Sequence, residues 1–300
     1  MFPERQLGPH RGWNEEIKFL DNLFHNGSAY TVGKVNGDHW LLYITGPEES
    51  YTRLKTPATT LPHIGNERSH FTDTVGQMSS QDYTIEILMS DLATEARQPF
   101  FSLDLGNSAS SNAQELSSTL GICDLFPAHL TSLDAYSFSP CGYSANAIIT
   151  LDNDAGNGSL HHTGEGYFTI HVTPEEGSSY ASFECNVPLP TRPSRLANTI
   201  PDLRTLIRRV VRIFQPGRLS LTLFVSSEDR NIGEDEVGEN AIDAAQRAFK
   251  SALTSSPHAA DGPQVSRITD RGGRLYKRTD KINYEFRGYE LAFASFEICS

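Results

Sequence analysis

The chain has 300 residues, a mass of 33.2 kDa and a formal net charge of −12. That acidic balance argues against a nucleic-acid backbone as partner, which takes clustered Lys and Arg, and against an anionic membrane surface. A hydrophobic fraction of 38% with 21% charged residues is that of a soluble globular protein with a sizeable core, in one large domain or two ordinary ones. No apolar run reaches membrane-span length, and the opening MFPERQ does not read as a signal peptide. Cys123, Cys141, Cys185 and Cys299 are widely spaced with no C-x-x-C. Free thiols in a reducing cytosol, and so a cytoplasmic location, are the expectation.

Residues 11–24 (RGWNEEIKFLDNLF) carry Trp13, Ile17, Leu20 and Phe24 at helical spacing, which predicts an amphipathic helix. His25-Asn26-Gly27 is expected to end it as a C-cap glycine does. Strands follow over 28–35 and 38–45, joined by the hairpin signal Asn36-Gly37. Residues 46–81 are polar, hold three prolines and read as a long surface excursion. Strand 83–90 puts Tyr83, Ile85, Ile87 and Met89 on one face, with Asp82, Thr84, Glu86 and Leu88 on the other. Residues 104–118 are Ser/Asn-rich loop with room for a short helix.

Strands are predicted over 134–138 and 143–151 around a Pro-Cys-Gly turn, with a loop over 152–166. Residues 201–214 (PDLRTLIRRVVRIF) form a helix with Pro201 in its first turn. Its buried stripe is Leu203, Leu206, Ile207, Val210, Val211 and Phe214. A strand over 218–225, a helix over 240–253 and terminal strands over 275–286 and 289–298 complete the chain. The unit helix-Phe-x-x-Gly-strand occurs at residues 23–27 and again at 213–217, a thin signal of a repeat.

The stretch 138–186 holds the densest chemistry. In strand 167–173 the odd positions are Tyr167, Thr169, His171 and Thr173, and the even ones Phe168, Ile170 and Val172. The next strand repeats the split, with Tyr180, Ser182 and Glu184 against Ala181, Phe183 and Cys185. Small hydroxyls and aromatics, rather than Lys and Arg, are the composition of a polar site inside a protein.

PCGYS, YFTIHVTPE and SYASFE resemble the eukaryotic S-adenosylmethionine decarboxylases, the fungal-type members included. These are pyruvoyl enzymes of spermidine and spermine synthesis. TIEILMS (84–90), FQPGRLSLTLFV (214–225), YELAFASF (289–296) and PHRGWNEEIKFLDNLFHNGSAYTVGKVNGDHWLLY (9–43) extend the match over most of the chain. The resemblance implies an α+β sandwich of antiparallel sheets in an α-β-β-α four-layer arrangement. Residues 1–81 would be the remainder of a first repeat, with part of its sheet missing, and 82–300 the second.

The resemblance also implies roles. The pyruvoyl group is made from the chain's own serine and is the electron sink of the decarboxylation. Ser144 and His171 correspond to the pair that assists self-processing; the plain alternative is an interior histidine and a turn hydroxyl. Glu175 matches the glutamate that binds the ribose hydroxyls, and Phe138 an aromatic that stacks on adenine. Asp82, Thr84, Glu86, Glu184, Phe224 and Tyr289 match the surroundings of putrescine, the activating diamine. If the polar faces of the two sheets meet, three carboxylates would be buried together, a costly arrangement unless a cation offsets it. No His/Cys spacing supports a metal instead.

Two departures stand beside the matches. The family's self-cleaving serine lies in a segment like L-S-E-S-S and its reprotonating cysteine in T-C-G; neither occurs in these 300 residues. Glu49-Ser50 is a decoy, because it follows the hairpin over 28–45, where the family has a Pro-Glu-Ser that is not cleaved. Three readings stay open: an incomplete piece of a decarboxylase, inactive alone; a non-catalytic paralogue that binds putrescine and regulates an active subunit; or a module for another nucleoside. A homodimer is compatible with each.

Overall fold

The computed structural model describes residues 7–37, 39–45, 83–101, 108–151, 164–190, 199–226, 241–255, 274–286 and 288–299. The chain divides into two compact units, residues 1–78 and 79–300. The first unit holds helix α1 (Trp13–Leu23) and an antiparallel pair, β1 (Ser28–Gly33) with β2 (His39–Ile44). The Tyr43 hydroxyl donates to Asp21 at 2.9 Å, tying β2 to α1. The helix ends differently from the expectation: Phe24, not a glycine, is the cap, in extended conformation with its N–H on the Leu20 carbonyl. The expected long excursion over 46–81 lies outside the described residues.

The second unit is built on one eight-stranded sheet. Its strands are β3 (Tyr83–Ser90), β4 (Thr131–Ser137), β5 (Tyr143–Leu151), β6 (Gly164–Thr173), β7 (Tyr180–Cys185), β8 (Arg218–Ser226), β9 (Tyr276–Phe286) and β10 (Tyr289–Ile298). Their order across the sheet is β4-β5-β6-β7-β3-β8-β10-β9, and every neighbouring pair is antiparallel. The class is therefore α+β. Strand β3 is inserted between β7 and β8, so residues far apart in sequence become cross-strand neighbours.

Strand alternation sets the two faces. Ile85, Ile87 and Met89 of β3, Phe168 and Ile170 of β6, and Ala181, Phe183 and Cys185 of β7 are fully buried on one face. Helices α2 (Thr94–Arg97), α3 (Ala109–Leu120), α4 (Leu203–Phe214) and α5 (Ala241–Thr254) accompany the sheet. The six predicted stripe residues of α4 are all buried, each worth about 2 kcal/mol over exposure. Asp202 caps α4, accepting from the Thr205 N–H at 3.1 Å. Stacked rings line the core: Phe126 on Phe168, Phe168 on Phe183, and Phe100 on Phe214, with centroids 5.7, 5.7 and 6.0 Å apart.

Helix α3 is the main departure from the sequence expectation, a full 12-residue helix where a loop with a short helix was predicted. Its serines do the local work. Ser108 caps the N-terminus, Gly121 closes the C-terminus at φ 78°, and buried Ser117 hydrogen-bonds Tyr143 at 2.6 Å.

Candidate active site

The opposite face of the large sheet is the polar one. Its centre is a row made by register: Asp134, Asn146, Thr169, Glu184, Glu86 and Thr222 lie side by side across β4, β5, β6, β7, β3 and β8. One step along the strands is a second row of Tyr136, Ser144, His171 and Ser182.

Ser144 and His171 are direct cross-strand partners, and the Ser144 Oγ is 3.0 Å from His171 Nδ1. His171 is exposed and Ser144 half-buried. A hydroxyl facing an imidazole at that distance has the geometry for proton exchange: an unprotonated Nδ1 accepts the hydroxyl proton, and a protonated one donates to the oxygen. The ring opens onto the polar face rather than into the core.

The turn before β5 presents the next two residues. Gly142 has φ +114°, and its N–H donates to the Phe100 carbonyl at 2.9 Å. A Cβ there would make only ordinary contacts, 3.4 Å from the Val172 carbonyl oxygen and 3.6 Å from Phe138 side-chain carbons, so it is the backbone angle that calls for glycine. Phe138 is 46% exposed and meets Tyr136 edge-on, ring centroids 5.0 Å apart at 62°. Half-buried Glu175 sits in the β6–β7 turn, near enough to Cys141 for its charge to act on the thiol. Burial first, and then the Glu175 charge, push the Cys141 thiol up from its ordinary pKa.

The acidic residues meet in a way the sequence reading did not foresee. Glu86 and Glu184 come together as neighbours in one sheet, paired across β3 and β7, rather than across a gap between two sheets. Burial, then the charge of Glu184, raise the Glu86 pKa, while a hydrogen bond from Thr222 at 3.3 Å opposes the rise. The Tyr167 hydroxyl donates to Glu184 at 2.6 Å, which together with burial pushes the tyrosine up to about 12. Thr84 lies opposite Phe224 on the same polar face, and Tyr289 opposite Ser226 at its far end. Asp82 lies outside the described residues.

Sequence reasoning passed over Thr222 and Arg97. Thr222 could have been found, because LSLTLFV puts Thr222 and Phe224 on one face. Nothing in the sequence ties Arg97 to the site.

The family model of adenosylmethionine decarboxylase matches residues 1–297. The chain belongs to that family. It is 29% identical to an S-adenosylmethionine decarboxylase proenzyme of Drosophila melanogaster over 98% of this chain and 64% of that protein. Proenzymes of Xenopus laevis (33% identical) and Saccharomyces cerevisiae (29%) align with 77% and 76% of this chain, and with 52% of each relative. The chain thus spans between half and two thirds of the length of these relatives. A solved Trypanosoma brucei structure, an AdoMetDC-delta26 monomer, has a TM-score of 0.51 at 18% identity, covering 100% of this chain and 81% of that one. That likeness shows the adenosylmethionine decarboxylase fold.

Proposed function

We propose that this chain supplies the processing, ribose and diamine residues of a pyruvoyl-dependent S-adenosylmethionine decarboxylase. The reaction would release carbon dioxide and leave the aminopropyl donor for spermidine and spermine. The observation that carries the reading is the Ser144–His171 pair, 3.0 Å apart in the family's PCGYS and TIH contexts.

The residues present fit the surroundings of a pyruvoyl group, whose precursor serine does not occur in these 300 residues: a serine–imidazole pair opens onto the polar face beside an exposed aromatic and a half-buried carboxylate. That carbonyl, when present, supplies the electron sink for loss of the carboxylate. Ser144 and His171 would face it, the hydroxyl holding its oxygen and Nδ1 taking or returning a proton. Glu175 would accept the two adjacent ribose hydroxyls, which suits a bidentate acceptor. Phe138 would stack on adenine.

Glu86 and Glu184, with Thr84, Phe224 and Tyr289 on the same face, would hold the ammonium groups of putrescine, and the family match adds Asp82, which lies outside the described residues. A cation there offsets the cost of two adjacent part-buried carboxylates. Among the described residues no His/Cys/Asp/Glu group could hold a metal ion.

The relatives are described as proenzymes, which supports this reading over that of a non-catalytic putrescine-binding partner. The two-repeat division at residue 81, the four-layer arrangement and a cytoplasmic location belong to the same proposal; the four free cysteines support the last. The test is release of labelled carbon dioxide from carboxyl-labelled S-adenosylmethionine by the full-length protein. Putrescine-stimulated release is expected, and none with or without the diamine would overturn the reading.

A further inference from the structure

The turn that carries Glu175 is held from one side by a single short segment. Arg97, 9% exposed at the end of α2, donates from Nη1 to the Pro174 carbonyl at 3.3 Å. Its Nη2 lies 3.6 Å from the carboxylate of Glu176, a side chain 88% exposed. The same segment fastens the far end of the turn: the Leu92 N–H donates to Ser179 Oγ at 3.0 Å, and the Asp91 N–H to the Ser179 carbonyl at 3.3 Å. Asp91 is itself paired with Arg218 at 2.8 Å.

Two adjacent glutamates therefore have different surroundings. Glu176 lies beside the guanidinium, and Glu175, next to it in the chain, has no ion pair among the described residues. A buried guanidinium is a rigid planar fork, and one that grips a backbone carbonyl and a side chain of the same turn fixes that turn's orientation. A carboxylate already paired with a cation would be a poorer acceptor for neutral hydroxyls.

We propose that Arg97 is a positioning residue for Glu175. By gripping Pro174 and Glu176 it sets the turn so that the neighbouring Glu175 carboxylate, unpaired with a cation among the described residues, is oriented to accept the adjacent hydroxyls of a ribose. This rests on the reading of Glu175 as the ribose-binding residue.

The experiment measures KM and kcat for S-adenosylmethionine on the full-length protein and its variants. Arg97→Met should raise KM about ten-fold with kcat changed less than about two-fold, because the loss falls on binding rather than on the reacting bond. Arg97→Lys keeps the charge but not the fork, and should recover part of the loss. In a Glu175→Gln background, Arg97→Met should add less than about two-fold, since a residue acting through Glu175 has nothing left to act on. Full additivity in that cycle would overturn the inference. If Arg97→Met fails to fold, Glu176→Gln removes half of the clamp from the solvent side; a KM rise of about two-fold is expected, and an unchanged KM overturns the inference. A KM rise for Glu175→Gln with none for Arg97→Met overturns the inference alone. An unchanged KM for Glu175→Gln overturns the ribose reading and the inference with it.

Discussion

Glu86→Gln should stabilise the diamine-free protein at pH 8 and leave it unchanged near pH 4. Directly opposed cross-strand residues have Cβ atoms about 5 Å apart. Carboxylates about 6 Å apart at an effective dielectric of about 20 repel by roughly 3 kcal/mol. Side-chain splay and the hydroxyls of Tyr167 and Thr222 reduce this to about 1–2 kcal/mol. The sign follows from Glu86, whose pKa is raised in the fold by burial and then by Glu184. The folded state holds that proton more tightly than the unfolded chain. The cost is absent below the unfolded carboxyl value of about 4.3 and grows as pH rises toward the raised folded value; above that it is complete. At about 2–4 °C per kcal/mol, the variant should melt about 2–8 °C higher at pH 8. Thermal unfolding of both proteins at pH 4 and pH 8 is the assay. Millimolar putrescine should then raise the wild-type Tm and leave the variant nearly unmoved. A lower variant Tm at pH 8 without diamine, or an equal gain at both pH values, would refute the reasoning.

Other substitutions probe the remaining links. His171→Ala should leave the full-length protein uncleaved with its fold intact, seen as one band on a denaturing gel beside an unchanged Tm, since the imidazole is exposed and its described hydrogen bond is to Ser144. Gly142→Ala should cost about 1–2 kcal/mol from its φ of +114°, read by denaturant unfolding. Ser117→Ala should cost about 1–3 kcal/mol by removing the hydrogen-bond partner of the Tyr143 hydroxyl, with kcat unchanged. Phe168→Ala, which empties the stack between Phe126 and Phe183, should cost about 3–5 kcal/mol in denaturant unfolding.

Where alternation or helical spacing was strong, the sequence was enough. Strands β3, β6 and β7 and the stripe of α4 were legible because each buries one face against a continuous core. Helix α3 was hidden by its serines, which usually mark loops; here Ser108 caps the helix and Ser117 meets a buried tyrosine, both tertiary or end effects. The pairing of Ser144 with His171 was readable only through motif context, and the register then put them face to face. Glu86 and Glu184 were matched to one diamine site, but their pairing within one sheet was not legible, because the insertion of β3 between β7 and β8 joins residues almost a hundred positions apart and leaves no local trace. Arg97 reaches across 77 positions to Pro174 for the same reason. Asp82 remains outside the described residues.

The central claim is that Ser144 and His171 serve the formation and use of a self-derived carbonyl group. The intact mass of the protein from its own cells, with and without borohydride, tests it most directly. The account predicts two fragments, the larger shifted by reduction of a blocked carbonyl at its new N-terminus. A single uncleaved chain, its mass unmoved by borohydride, would contradict it.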